Sequence, residues 1–148
     1  MLLHQRRKVF AFTRPGDAAT QEFARSLGVQ WAGDVGATPP ERPKAAIIFA
    51  PSGELVPEAL RTVDRGAMVV CAGIHMSAIP SFSYDLLWEE RVLRSVANLT
   101  RRDGEDFLRM AAEIRIRTEV TPYPLEHANN ALEDLRHGRF RGSAVLMV

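Results

Sequence analysis

A chain of 148 residues, 46% hydrophobic and 25% charged, has the size and composition of one globular domain with a core of its own. Lysine and arginine number 19 against 18 acidic residues, a formal charge of +1, so no whole-chain field exists to recruit nucleic acid or an anionic membrane. The single cysteine, Cys71, excludes an intrachain disulfide framework and a multi-cysteine zinc site, and no apolar run approaches a membrane span or a secretory core; a reducing cytoplasm is the expected home.

In chain order, Lys8 to Thr13 reads as a compact apolar strand, and Arg14-Pro15-Gly16-Asp17 turns it into a helix over 18–27, with Asp17 placed to cap and Gly28 to stop. Val29 to Trp31 is a short second strand. A Gly/Pro-rich loop runs on to Pro43, and Lys44 to Ala50 is an unbroken apolar strand, a pattern that predicts burial on both faces. Pro51-Ser52-Gly53 breaks it, Val56 to Val63 reads as a short helix stopped by Gly66, and Ala67 to Ala72 is another continuous apolar strand ending at Gly73.

After an irregular stretch through Ile79-Pro80, Arg91 to Ala97 suits a strand. Asp103 to Ile114 suits an amphipathic helix with Phe107, Leu108, Ala111 and Ala112 inward. Val120 closes a short extended piece. Pro124 opens a helix to His137, carrying Leu125, Ala128, Ala131, Leu132 and Leu135 at helical spacing; Gly138 stops it, and Ala144 to Val148 is a last apolar strand. Strands alternating with helices, several of them wholly apolar, predict an α/β fold with a parallel sheet covered on both sides.

In such sheets ligands bind beyond the carboxyl ends of the strands, which directs attention to Thr13-Arg14, Pro51-Ser52, Gly73-Ile74-His75 and Asn98-Leu99-Thr100. An acid after the second strand of a dinucleotide-binding unit accepts the ribose hydroxyls of NAD, whereas an arginine there pairs with the 2′-phosphate of NADP. Arg14 is thus either a phosphate partner or a solvated strand-end cation. Gly73 either makes room for a neighbouring turn or lets a flat ring approach the backbone. Cys71 reads as a small core residue, and His75 as a loop residue at a strand end that could touch a cofactor. His4, His127 and His137 read as surface residues, and no histidine pair has the spacing of a helical metal site. Asn98-Leu99-Thr100 matches a glycosylation acceptor pattern, read as chance in a chain without a secretory signal. There is no nucleophile elbow and no GxxxxGK[ST] phosphate loop, so hydrolase and nucleoside triphosphatase readings have no motif behind them.

Three stretches, "AAIIFAPSGELVPEALRTVDRGAMVVCAGIHMSAIPSF", "LLWEERVLRSVANLTRRDGEDFL" and "PLEHANNALEDLRHGRFRGSAVL", resemble the carboxyl-terminal, coenzyme-binding portion of zinc-dependent, medium-chain alcohol dehydrogenases, over essentially the whole chain from Lys8 to Val148. The resemblance implies an NAD(P)-dependent alcohol/aldehyde oxidoreductase in which a catalytic zinc polarises the substrate oxygen. It implies that Thr13 and Arg14 meet the adenosine ribose, that Pro51 and Ser52 flank the adenine or bridging region, and that Gly73, Ile74, Val96 and Asn98 line the nicotinamide. It also implies a homodimer through Ile79 to Leu87. The family's zinc ligands have no counterpart in this sequence, so neither metal ligands nor catalytic residues are assigned, and Ser143 stands where the family often carries an arginine.

The ribose-reading position follows the phosphate-binding glycines by roughly 20 residues. With that position at Thr13, the glycine-rich loop and the strand before it would precede Met1, and residues 1 to 8 would supply only the last turn of the intervening helix. The expectation is therefore a single, incomplete Rossmann-like domain over 1–148, in which 116–148 corresponds to the family's segment returning toward the catalytic domain. Such a chain is expected to bind NAD(P) weakly or not at all, with a slight lean to NADP from Arg14, and not to turn over alcohol by itself. The alternative is a non-catalytic interaction module that associates through Ile79 to Leu87. No nucleic acid or membrane partner is expected.

Overall fold

A computed structural model of the chain describes residues 1–114, 116 and 118–148. The chain divides into two compact units, 1–104 and 105–148. Among the described residues every strand pairing is parallel.

In the first unit, residues 1–7 make one helical turn closed by two hydrogen bonds: the Arg6 amide donates to the Leu3 carbonyl (2.9 Å) and the Arg7 amide to the Leu2 carbonyl (3.0 Å). With Arg6 left-handed at φ 56°, this is the Schellman closure that ends helices. Strand β1 (Phe10–Thr13) follows, then α1 (Ala18–Ser26), capped by the Asp17 carboxylate accepting from the Thr20 amide at 3.0 Å. Gly28, at φ 96°, closes α1 with the same pair of bonds. Strand β2 (Trp31–Asp34) pairs with β1, Phe10 opposite Trp31 and Thr13 opposite Asp34. The expected strand at 29–31 thus lies further along. The reason is Gly33: a Cβ there would overlap the Trp31 indole, so this glycine lies inside the strand and accommodates the ring two residues back.

A second sheet has the order β3-β4-β5, with β3 at Ala45–Ile48, β4 at Met68–Cys71 and β5 at Val92–Ser95. Helix α2 (Leu55–Thr62) covers one face. Its Val56 and Leu60, with Val63 just beyond, are fully buried against Ile48, Val69 and Cys71, and Phe82, Leu86 and Leu87 pack on the same cluster. Burying side chains of this size stabilises by about 1.5–3 kcal/mol each. Of the side chains that alternate onto the other face, Ala45, Ile47, Met68, Val92 and Arg94 are exposed and Val70 is half-buried. This corrects the expectation of burial on both faces: an unbroken apolar run shows what each face is made of, not whether an element lies on it.

Helix α3 (Arg101–Ile114) spans the division between the units, and Phe107, Leu108 and Ala112 on it are exposed, Ala111 only half-buried, which corrects their expected inward placement. In the second unit β6 (Val120–Pro124) pairs with β7 (Ser143–Met147), connected by a 3-10 turn at Leu125–His127 and α4 (Ala128–Arg136). The expected single helix from Pro124 therefore begins with a tighter turn. Tyr123 donates to Asp134 (2.9 Å), as does Arg139 (3.0 Å), and the Tyr123 ring meets Phe140 edge to face. Arg139, then Tyr123, hold the Asp134 carboxyl below its ordinary value of 3.8. Among the described residues no helix is long and apolar enough to cross a membrane.

Candidate functional site

The register of the three-stranded sheet sets Ile48, Cys71 and Ser95 side by side, so the segments after β3, β4 and β5 leave from one carboxyl edge. The ladder continues one step past the strands: the Ala72 amide donates to the Ile48 carbonyl at 2.8 Å, and the Val96 amide to the Cys71 carbonyl at 3.3 Å. The first two loops then interlock. Gly53 donates its amide to Ser77 Oγ at 2.9 Å, and the Ser77 amide donates to the Pro51 carbonyl at 3.3 Å. A Cβ on Gly53 would overlap the Ala78 carbonyl, and one on Gly73 would lie 2.9 Å from the Ala50 oxygen. Of the two readings of Gly73, room for a neighbouring turn is therefore present in the geometry.

Pro51, Ser52, Gly73 and Ile74 are thus brought together, and Val96 and Asn98 leave from the same edge. At this edge four large apolar side chains are bare: Phe49 (75% exposed), Ile74 (74%), Val96 (54%) and Leu99 (75%). Thr13 and Arg14 lie at the carboxyl end of β1, in the separate two-stranded sheet. There the Asp34 carboxylate accepts from the Gly16 amide (3.1 Å) and from Gln21 Nε2 (2.7 Å), and Gln21 Nε2 also reaches Thr13 Oγ1 (3.0 Å). Neither Asp34 nor Gln21 was singled out in the sequence. The signal that could have found Asp34 was an acid at a strand end, hidden because the strand was expected to stop at Trp31.

The remaining candidates take structural roles. Cys71 lies in the core and burial pushes its thiol up, away from a reactive thiolate. His75 is exposed in a left-handed loop position at φ 55°. Thr100 caps α3: its amide (2.8 Å) and hydroxyl (2.7 Å) donate to Asp103, whose own amide returns a bond to the hydroxyl (3.2 Å). Of the segment 79–87, Phe82, Leu86 and Leu87 pack on the core while Ile79 and Tyr84 stay exposed. A cleft of about 860 Å³ lined by Arg65, Tyr84, Trp88 and Arg91 sits by the amino-terminal ends of β4 and β5, away from all the strand-end candidates. Among the described residues no three of His, Cys, Asp and Glu are grouped to hold a metal, so they do not fit the zinc that the resemblance implies.

No protein-family profile matches the chain. Curated relatives do. It is 41% identical over 147 residues to a "Probable alcohol dehydrogenase" of Mycobacterium tuberculosis (strain CDC 1551 / Oshkosh), covering 99% of this chain and 42% of the relative. It is 30% identical over 105 residues to an alcohol dehydrogenase of Geobacillus stearothermophilus, covering 70% of this chain and 31% of the relative. The chain thus spans well under half the length of these relatives. Among solved structures, the alcohol dehydrogenase of Aeropyrum pernix aligns with a TM-score of 0.82 at 19% identity, over 99% of this chain and 45% of that one. A Bacillus subtilis protein crystallised with NAD aligns at 0.71 and 14% identity, over 96% of this chain and 47% of that one. These likenesses establish the fold as α/β and Rossmann-like. The sequence matches show that the chain belongs to the alcohol dehydrogenase family.

Proposed function

We propose that the chain forms the coenzyme-binding portion of an NAD(P)-dependent alcohol/aldehyde oxidoreductase. The observation that carries this reading is the bare apolar edge: Phe49, Ile74, Val96 and Leu99 stand exposed just past three registered parallel strands, at the end of the sheet where dinucleotides bind. Gly73, Ile74, Val96 and Asn98 line the nicotinamide, Pro51 and Ser52 the bridging region, and Thr13 and Arg14 the adenosine ribose. When bound, the nicotinamide supplies the hydride-accepting carbon. This chain's part is to hold the ring against an apolar wall and keep water from that face. Polarising the alcohol oxygen falls to groups outside the described residues, since these assemble no metal site. Arg14, exposed beside the ribose position, leans the site toward NADP.

Titration of the purified chain with NADH and NADPH, followed by coenzyme fluorescence, is expected to show weak saturable binding that Ile74→Asp reduces for both. Addition of alcohol and zinc to the NAD(P) mixture is expected to produce no reduced coenzyme. Absence of binding, or alcohol-dependent reduction, overturns the respective half of the reading. A second reading, self-association through Ile79 to Leu87, is favoured by the exposure of Ile79 and Tyr84 in that segment. A stable dimer in sedimentation together with no coenzyme binding selects it.

A further inference from the structure

The turn after β1 is closed by a negative charge, and this bears on which coenzyme the turn admits. Asp34 Oδ1 receives the Gly16 amide at 3.1 Å and Gln21 Nε2 at 2.7 Å. Gln21 Nε2 also donates to Thr13 Oγ1 at 3.0 Å, and that hydroxyl donates to the Arg14 carbonyl at 3.2 Å. Pro15 has no amide hydrogen. The backbone donor on which an incoming anion would ordinarily settle in such a turn, the Gly16 N–H, is therefore engaged by the protein's own carboxylate. The cation this turn offers an anion is the Arg14 guanidinium, and the Asp34 carboxylate is held on the amide of Gly16, two residues along the chain from Arg14.

We propose that Asp34 is a specificity-determining residue of this turn, an internal anion that opposes the 2′-phosphate and holds the pull of Arg14 toward NADP in check. The inference rests on the coenzyme reading above. A ribose diol is neutral and feels the carboxylate little. A 2′-phosphate carries close to two negative charges at neutral pH and is repelled by it across the turn. Arg14 and Asp34 thus act in opposite directions on one substituent, and a mild NADP preference is the difference between them.

The adenosine halves of the two coenzymes, 5′-AMP and 2′,5′-ADP, are the probes, titrated into the full chain by NMR. Asp34→Asn retains an acceptor oxygen for Gly16 and Gln21 and removes only the charge. It is expected to raise affinity for 2′,5′-ADP relative to 5′-AMP by on the order of fivefold, an effect that shrinks as salt is added. Arg14→Gln is expected to move the ratio the other way. The Gly16 amide resonance reports whether the turn stays closed, and Asp34→Ser, neutral but smaller, must shift the ratio in the same direction as Asp34→Asn. Binding of both probes with an unchanged ratio in the two neutral variants overturns the role of Asp34 and leaves the coenzyme reading standing. If neither probe binds wild type or any variant, the coenzyme reading and this inference with it are overturned.

Discussion

Gly53 sits where two loops cross, and one methyl group there would meet the Ala78 carbonyl. Because that neighbour is backbone, no rotamer change relieves the overlap, and the 77–78 segment must move. Gly53→Ala is expected to lower stability by about 1–3 kcal/mol and to weaken coenzyme binding through displacement of Gly73 and Ile74. Urea unfolding, with the same titration, checks it. Gly66→Ala is the companion variant: φ is 64° but nothing lies within 4 Å of the added carbon, so only the left-handed backbone cost of about 1–2 kcal/mol is expected. Residue-scale facts of this kind were half legible. Asp17 as a cap and Gly28 as a stop follow from local chemistry and are in place. Asp34 is held by Gly16 and Gln21, contacts that tie the end of β2 to the turn after β1 and to α1 and depend on the pairing of Thr13 with Asp34, and nothing local in the sequence announces them.

At the scale of elements, α3 begins two residues earlier than its apolar pattern suggests, because Thr100 and Asp103 close its first turn. The hydroxyl and then the amide of Thr100 hold the Asp103 carboxyl below its ordinary value of 3.8. A carboxyl depressed in the folded state stabilises while ionised; that contribution is present above the unfolded value and is lost as pH falls through the folded one. Helicity of α3 is therefore expected to decline on acidification below the ordinary aspartate range. Thr100→Ala should lower it at neutral pH and leave less acid dependence, both read by backbone amide shifts. The periodicity of 101–114 correctly announces a helix with one apolar side. It carries no information on whether anything packs there, and Phe107 and Leu108 are bare. The same holds for β3, whose Ala-Ile-rich run specifies a strand and leaves its outer face undetermined.

For the whole molecule, the exposed side chains Ile47, Met68 and Val92 leave an apolar patch on the open face of the three-stranded sheet, bordered by the exposed Arg94. Patches of this kind bind apolar dyes in the native state. The chain is expected to enhance anilinonaphthalene sulfonate fluorescence while retaining its tertiary circular dichroism, and Met68→Gln with Val92→Thr to reduce the signal without lowering the urea midpoint. Retention of full enhancement in the double variant would place the dye elsewhere. The α/β class and the carboxyl-edge clustering of Pro51, Ser52, Gly73, Ile74, Val96 and Asn98 were readable because they depend on strand order along the chain. Which strands share a sheet was not, since that is set by pairings between distant segments. The order β3-β4-β5 has a mechanical corollary. Among the described strands β4 alone has a neighbour on each side, and all the others are edges. Parting β1 from β2, or β6 from β7, breaks one ladder; freeing β4 requires two to yield, with the Val69 and Cys71 side chains leaving the core in the same event. The protein should come apart in stages, its paired ribbons loosening first and its buried strand letting go last.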